Sequence, residues 1–204
     1  VSAETIQAFR RVKKLLKRNS NARDKILTLD QVEKLMANLP RHTKAILATG
    51  FYTGMRKSEI LKLTWGKVNL RKRFISLDAE DTKDREAREI PICNELYAVL
   101  SGIPRPLHDA EDKVVFTYRR KRKGREEDSP LSDIRGGLRD ACKKAGIPYG
   151  RFAKDGFIFH DLRHCFNTYM RKAGVPESVI MEITGHSNRE MFDRYNTVDH
   201  DDRR

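Results

Sequence analysis

The chain has 204 residues and carries 42 Lys and Arg against 29 Asp and Glu, a formal charge of +13 that points to a polyanionic partner, nucleic acid first. Hydrophobic residues make up 38%, enough for one sizeable domain; the longest uncharged stretch, Ala45 to Met55, falls short of the ~20 residues of a bilayer span, and an anionic membrane surface, the second candidate, lacks a strongly amphipathic basic helix with Trp or several Phe to bind it, so no membrane partner is expected. Cys93, Cys142 and Cys165 are odd in number, widely spaced and without a C-x-x-C pair, which excludes a secreted disulfide scaffold and favours a reducing compartment.

Residues 1–25 read as a separate connector. Ala3 to Arg18 is helix-prone, with Ile6, Phe9, Val12, Leu15 and Leu16 at helical spacing, and Asn19 to Asn21 break it. No signal peptide opens the chain, and the start at Val1 reads as that of a fragment or processed product. A main domain, 26–204, follows. Thr28 and Gln31 form a capping box, and the helix behind them is expected to bury Leu29, Val32, Leu35, Met36 and Leu39 before Pro40 ends it. A second helix spans His42 to Thr53, Gly54 breaks it, and a third spans Lys57 to Leu63. Residues 67–92 read as a small antiparallel sheet with a polar hairpin, and a helix covers Asn94 to Leu100. The charge block Arg119 to Arg125 reads as a solvated loop, with phosphate contact the second reading. Ser132 is expected to cap a helix through Ala145. Further helices run from Asp161 to Ala173 and from Pro176, at N1, to Gly185, and a short turn-rich helix leads to Tyr195. The fold class is mainly α with a small antiparallel β-sheet.

Four short motifs carry residues suited to chemistry. In Thr53-Gly54-Met55-Arg56-Lys57-Ser58-Glu59, Arg56 and Glu59 share a helix face, either as a surface ion pair or as an arginine oriented by a carboxylate. In His160-Asp161-Leu162-Arg163-His164, His160 and Arg163 face one point. Gly185-His186 ends a helix and frees a histidine. Tyr195, in Arg194-Tyr195-Asn196, lies nine residues past His186 in a segment too polar for core. Two arginines, two histidines and a tyrosine suit a phosphodiester: arginine offers a planar charged fork, histidine moves protons, and a tyrosine hydroxyl is a nucleophile. His108-Asp109 and His200-Asp201-Asp202 lack metal-ligand spacing, and no phosphate-binding Gly-Lys-Ser/Thr loop is present, so neither metal nor cofactor is expected.

From Leu27 to Val198 the sequence resembles the catalytic domain of the tyrosine recombinases, the phage-integrase family. The resemblance rests on T-G-M-R-K-S-E-I-L-x-L-T-W, T-K-x-x-x-x-R-x-I-P, H-D-L-R-H-x-F-x-T, G-H and R-Y, in the family's order. It implies that Arg56 and Arg163 clamp a scissile phosphate, that Tyr195 attacks it to form a 3′-phosphotyrosine, and that Lys83 protonates the departing 5′-oxygen. Lys72 is the alternative if the hairpin register is shifted. The same resemblance has His160 assist proton transfer, His186 hydrogen-bond the phosphate, Glu59 support the arginines, and His164 and Thr168 pack or support. Thr184 and Phe192 depart from the family pattern and read as packing positions.

The activity implied is site-specific recombination of double-stranded DNA without metal or ATP. The resemblance further implies a homo-tetramer on synapsed DNA, a monomer for this chain alone, an absent N-terminal core-binding domain, and a cytoplasmic, nucleoid-associated protein of bacterial or phage origin. A type IB topoisomerase-like relaxing enzyme and a catalytically inactive DNA-binding module are the alternatives.

Overall fold

The computed structural model describes residues 25–106, 110–122, 125–186, 189 and 192. The expected connector helix, the His108-Asp109 and His200-Asp202 clusters, Tyr195 and all but Arg189 and Phe192 of the helix leading to it lie outside the described residues.

Helix α1, Leu29–Ala37, starts at the expected capping box: Thr28 Oγ1 accepts from the Gln31 amide (3.2 Å) and Gln31 Oε1 from the Thr28 amide (3.1 Å). Val32, Leu35 and Leu39 are buried, but Leu29 is not: in the first turn it faces solvent. Helix α2, Arg41–Thr53, runs through the middle of the core, with Ile46, Leu47 and Ala48 fully enclosed. It stops at Gly54, whose φ of 63° is left-handed and suits a residue without Cβ. Helix α3, Lys57–Lys62, follows at once.

A three-stranded antiparallel sheet comes next, β1 Val68–Asn69, β2 Phe74–Leu77 and β3 Arg88–Pro91, in the order β1-β2-β3. Ile75 faces Ile90 and Leu77 faces Arg88 across β2 and β3. Burial alternates along β3, so Arg88 and Ile90 point inward while Glu89 and Pro91 point out. Helix α4, Asn94–Ser101, packs on α2.

The block expected as a solvated loop is instead a two-stranded hairpin, β4 Thr117–Arg122 and β5 Arg125–Pro130. Its register sets Arg119 opposite Asp128 and Arg120 opposite Glu127, so the basic run pairs with the acidic run behind it. Helix α5, Arg135–Lys144, begins later than expected: Ile134 is its N-cap, and Asp133 Oδ1, not Ser132, accepts from the Arg135 amide (3.0 Å).

Helix α6, Asp161–Lys172, is buried on nearly all sides through Thr168, and α7 spans Glu177–Thr184 with Pro176 as N-cap rather than N1. Helix α6 lies against α2 at unusually close range. A Cβ on Gly50 would come within 2.8 Å of the Phe159 ring just before α6, and one on Gly54 within 2.8 Å of Phe166 in it. The two segments that carry Arg56 and Arg163 thus meet almost backbone to side chain.

Candidate phosphate-binding site

The site is assembled at three chain turns: the α2–α3 junction, the connection between β2 and β3, and the start of α6 facing the end of α7. Arg163, in the first turn of α6, is only 2% exposed. Its Nη1 donates to the Gly54 carbonyl (2.8 Å) and its Nη2 to the Thr184 carbonyl (2.6 Å). Nε and Nη2 both lie near His186 Nε2, at 3.3 and 3.1 Å. Those carbonyls are left over at helix ends, where no amide of the helix reaches them, so the guanidinium satisfies two termini at once.

His186 follows the left-handed Gly185 that ends α7. Thr184 Oγ1 donates to the Ile180 carbonyl (2.6 Å), so towards His186 Nδ1 (2.8 Å) it accepts. Nδ1 therefore carries the imidazole proton and Nε2 turns a lone pair to Arg163. Burial, then the charges of Arg163, Arg56 and Arg88, hold this histidine neutral, with its pKa lowered to about 3. In this arrangement Nε2 offers a lone pair rather than a proton. Thr184 is thus more than packing: both its hydroxyl and its carbonyl hold the site. Phe192 fits the packing expectation, its buried ring edge-on to His186 at 5.7 Å.

Arg56 is the N-cap of α3. Glu59, three residues on, accepts from the Arg56 amide (Oε2, 2.9 Å) and from its Nη1 (Oε1, 3.0 Å), fixing both backbone and fork. The other arm, Nη2, is bound by Asp84 at 2.5 Å. Burial opposes the Arg56 charge, but the bonds to Glu59 and Asp84 outweigh it and raise its pKa. Glu59 is the oriented-carboxylate reading of the motif.

Arg88 is the residue that sequence reasoning quoted without a role. Its Nη2 donates to Glu59 Oε2 (2.7 Å) and its Nε to the Ile183 carbonyl (3.1 Å). It sits so close to Gly185 that a Cβ there would lie 2.9 Å from Nη1. The contacts close a ring: Arg56 to Glu59, to Arg88, to the end of α7, to His186, to Arg163, and through Gly54 back to Arg56. The signal available in sequence was the two-residue strand period, which puts Arg88 on the inward face with Ile90.

Lys83 is exposed in the β2–β3 connection, next to Asp84. That connection is tied down by Lys67, which pairs with Asp78 (3.3 Å) and Asp81, and by Thr82, whose Oγ1 exchanges bonds with both main-chain groups of Glu86. Lys72 lies in the β1–β2 turn at the opposite end of β2. His160 is the N-cap of α6 with part of its ring in solvent. Burial of the rest and the charge of Arg163 lower its pKa, Asp161 opposes, and Arg56 and Arg151 reinforce. His164 and Thr168 are buried behind it. The cysteines are free, and burial pushes the Cys142 and Cys165 thiols up to about 11, which leaves them poor nucleophiles.

A cleft of about 370 Å³ opens beside these residues, lined by Arg88, Met181, Gly185 and His186 among others. A larger one, about 530 Å³, lies between α2, α4 and β4 and is lined by none of the residues of this site. Two guanidinium groups and a pinned loop with an exposed lysine are equipped to hold a singly charged tetrahedral oxyanion, while the neutral His186 imidazole orients Arg163.

The sequence pattern of the phage integrase family matches residues 25–202. The integrase of Salmonella phage P22 is 28% identical over 183 residues, covering 86% of this chain and 44% of that protein. The tyrosine recombinase XerA of Pyrococcus furiosus is 29% identical over 177 residues, covering 85% and 57%. The chain thus spans about half the length of these curated relatives. Among solved structures, XerA recombinase superposes with a TM-score of 0.65 at 22% identity, covering 87% of this chain and 62% of that one. The catalytic domain of bacteriophage HP1 integrase superposes with a TM-score of 0.59 at 25% identity, covering 83% and 85%. These likenesses establish the mainly helical fold with its small sheets.

Proposed function

The chain belongs to the phage integrase family, and on that premise we propose that it is the catalytic part of a site-specific tyrosine recombinase, cutting and rejoining double-stranded DNA through a covalent phosphotyrosine. The observation that supports the reading is the chain of contacts that links Arg56 through Glu59, Arg88 and the end of α7 to Arg163, with Lys83 on the loop whose Asp84 binds Arg56.

The two arginines bind the non-bridging oxygens and stabilise the charge that builds on them in the transition state. The Tyr195 hydroxyl attacks phosphorus and the bond to the 5′-oxygen breaks. His160, neutral because its pKa is lowered, takes the phenolic proton. Lys83 gives a proton to the departing 5′-oxygen. One phosphodiester replaces another, so no ATP is consumed, and attack by a 5′-hydroxyl of a second strand reverses the steps. Residues 1–25 act as a connector, and the working assembly is a homo-tetramer on two duplexes in the bacterial or phage-infected cytoplasm.

The test is incubation with supercoiled plasmid in chelator, a detergent quench, and detection of protein bound covalently to DNA. Wild type is expected to form an adduct and Tyr195→Phe none. An adduct with phenylalanine at 195 overturns the nucleophile, and no adduct with wild type overturns the enzymatic reading in favour of a binding module. Arg56→Ala or Arg163→Ala should slow adduct formation ~10²–10³-fold, the usual cost of a preorganised donor.

A further inference from the structure

The loop from Pro148 to Phe157 has no part in the site as described. Its exposed ring is unusual: Phe152 is 97% exposed, far above the other exposed large apolar side chains among the described residues, Leu29 and Val179. Single exposed apolar residues are common, but this one stands on a braced support rather than a slack tip. Phe157 donates to the Pro148 carbonyl (2.7 Å) and Gly150 to the Phe157 carbonyl (3.0 Å), closing the neck as a parallel bridge between Tyr149 and Phe157. Within it, Gly156 donates to the Ala153 carbonyl (3.0 Å) and packs against the Gly150 carbonyl too closely for any Cβ. Phe157 is buried in the core, so the neck is anchored while Arg151, Phe152, Ala153 and Lys154 all stand in solvent.

The loop runs straight into the site. Ile158 donates to Asp161 Oδ2 (2.8 Å), locking the loop's exit to the start of α6, where His160 and Arg163 lie. An apolar ring flanked by two cations, rigidly held beside a phosphate-binding ring, fits duplex DNA. Cations meet backbone phosphates, and an aromatic side chain meets deoxyribose faces and base edges or wedges between base steps. Without DNA between them, a second copy of the chain is disfavoured as the occupant of this loop, because both copies carry +13.

We propose that the Pro148–Phe157 loop is a DNA-contacting wedge: Phe152 packs its ring into the duplex next to the phosphate held by Arg56 and Arg163, while Arg151 and Lys154 neutralise neighbouring phosphates. This rests on the DNA-recombinase reading. It adds a contact surface that fixes how the duplex is seated and deformed at the cleavage point.

The experiment measures binding of the 204-residue chain to a labelled mixed-sequence duplex over a range of salt, for wild type, Phe152→Ala, Phe152→Trp, Arg151→Ala and Lys154→Ala. Phe152→Ala should weaken binding ~10-fold with an unchanged salt slope, and Phe152→Trp should restore it. Arg151→Ala and Lys154→Ala should each lower the log–log salt slope by about 0.9. A 2-aminopurine reporter in the duplex should brighten with wild type and stay dark with Phe152→Ala. Binding by Phe152→Ala within about twofold of wild type, well short of the loss expected for an aromatic contact, overturns the proposal. So does a loss of self-association in sedimentation without a loss of DNA binding. Adduct formation is scored in parallel. Weakened binding by Phe152→Ala with no adduct in wild type supports the wedge and sinks the recombinase reading, and an adduct with unchanged binding does the reverse.

Discussion

Glu59 and Arg88 form a buried ion pair 2.7 Å long, their side chains 1% and 4% exposed, joining the start of α3 to the inner face of the sheet. The same carboxylate also holds Arg56, so one acidic group sets the position of two cations. Removing Arg88 leaves that buried carboxylate with Arg56 as its remaining charged partner. Arg88→Ala should therefore cost about 1–3 kcal/mol, less than the loss of a lone partner from a buried pair. Urea unfolding of the single variant and of Arg88→Leu combined with Glu59→Leu checks it. The double variant should recover much of the loss in stability while losing adduct formation, because Arg56 is no longer oriented.

Asp84 occupies one arm of the Arg56 fork, the arm a phosphate would use. A phosphodiester and a carboxylate cannot share it without repulsion. Asp84→Asn should raise affinity for duplex DNA about two- to fivefold, the scale of a partly exposed ion pair. Fluorescence anisotropy at fixed salt measures this. Weaker binding instead would mean that Asp84 serves chiefly to order the Lys83 loop.

Thr184 fixes the tautomer of His186. With Thr184→Val the imidazole Nδ1 proton loses its acceptor in a buried place, at a cost of about 1–3 kcal/mol. Nitrogen-15 shifts of the ring should report the change: Nδ1-protonated in wild type, mixed or Nε2-protonated in the variant. An unchanged tautomer would show that Arg163 alone dictates it.

The depressed pKa of His186 carries a sign. Its folded value, about 3, lies below the ordinary 6.5, so the unfolded chain binds the proton first as pH falls. Stability is complete above pH 6.5 and declines from there towards pH 3. His160, shifted the same way, adds to it. Denaturant midpoints should fall already between about pH 6.5 and 5, ahead of most carboxylate titration. His186→Gln should flatten that limb, and an unchanged limb would place the titration elsewhere.

Much of this was legible in local sequence. The Thr28–Gln31 box, the glycine stops at 54 and 185, and the pairing of Arg56 with Glu59 are all settled within four residues, and they appear as read. What escaped depends on partners far along the chain. Arg88 meets Glu59 across 29 positions and the Ile183 carbonyl across 95, so nothing beside it announces its role. The Thr184 hydroxyl looked like packing because its importance comes from the ring it holds. The Arg119–Asp128 stretch reads as a solvated loop or a phosphate contact when each run of like charge is taken by itself. A basic run followed by an acidic run at hairpin spacing is also a pattern of complementary strands. Leu29 was placed inside by periodicity, yet at a helix's first residue the stripe has already turned to solvent.

The close passage of α2 and α6 has a further consequence. Where Gly50 meets Phe159 and Gly54 meets Phe166, the spacing is set by hydrogen atoms standing where carbons would be. A Cβ at either glycine would press on these rings, and each ring would have to give way inside the core. The room between the two arginine-bearing segments is thus set by what the glycines leave out, and one methyl group at Gly50 would be felt first by the Phe159 ring that leads into α6.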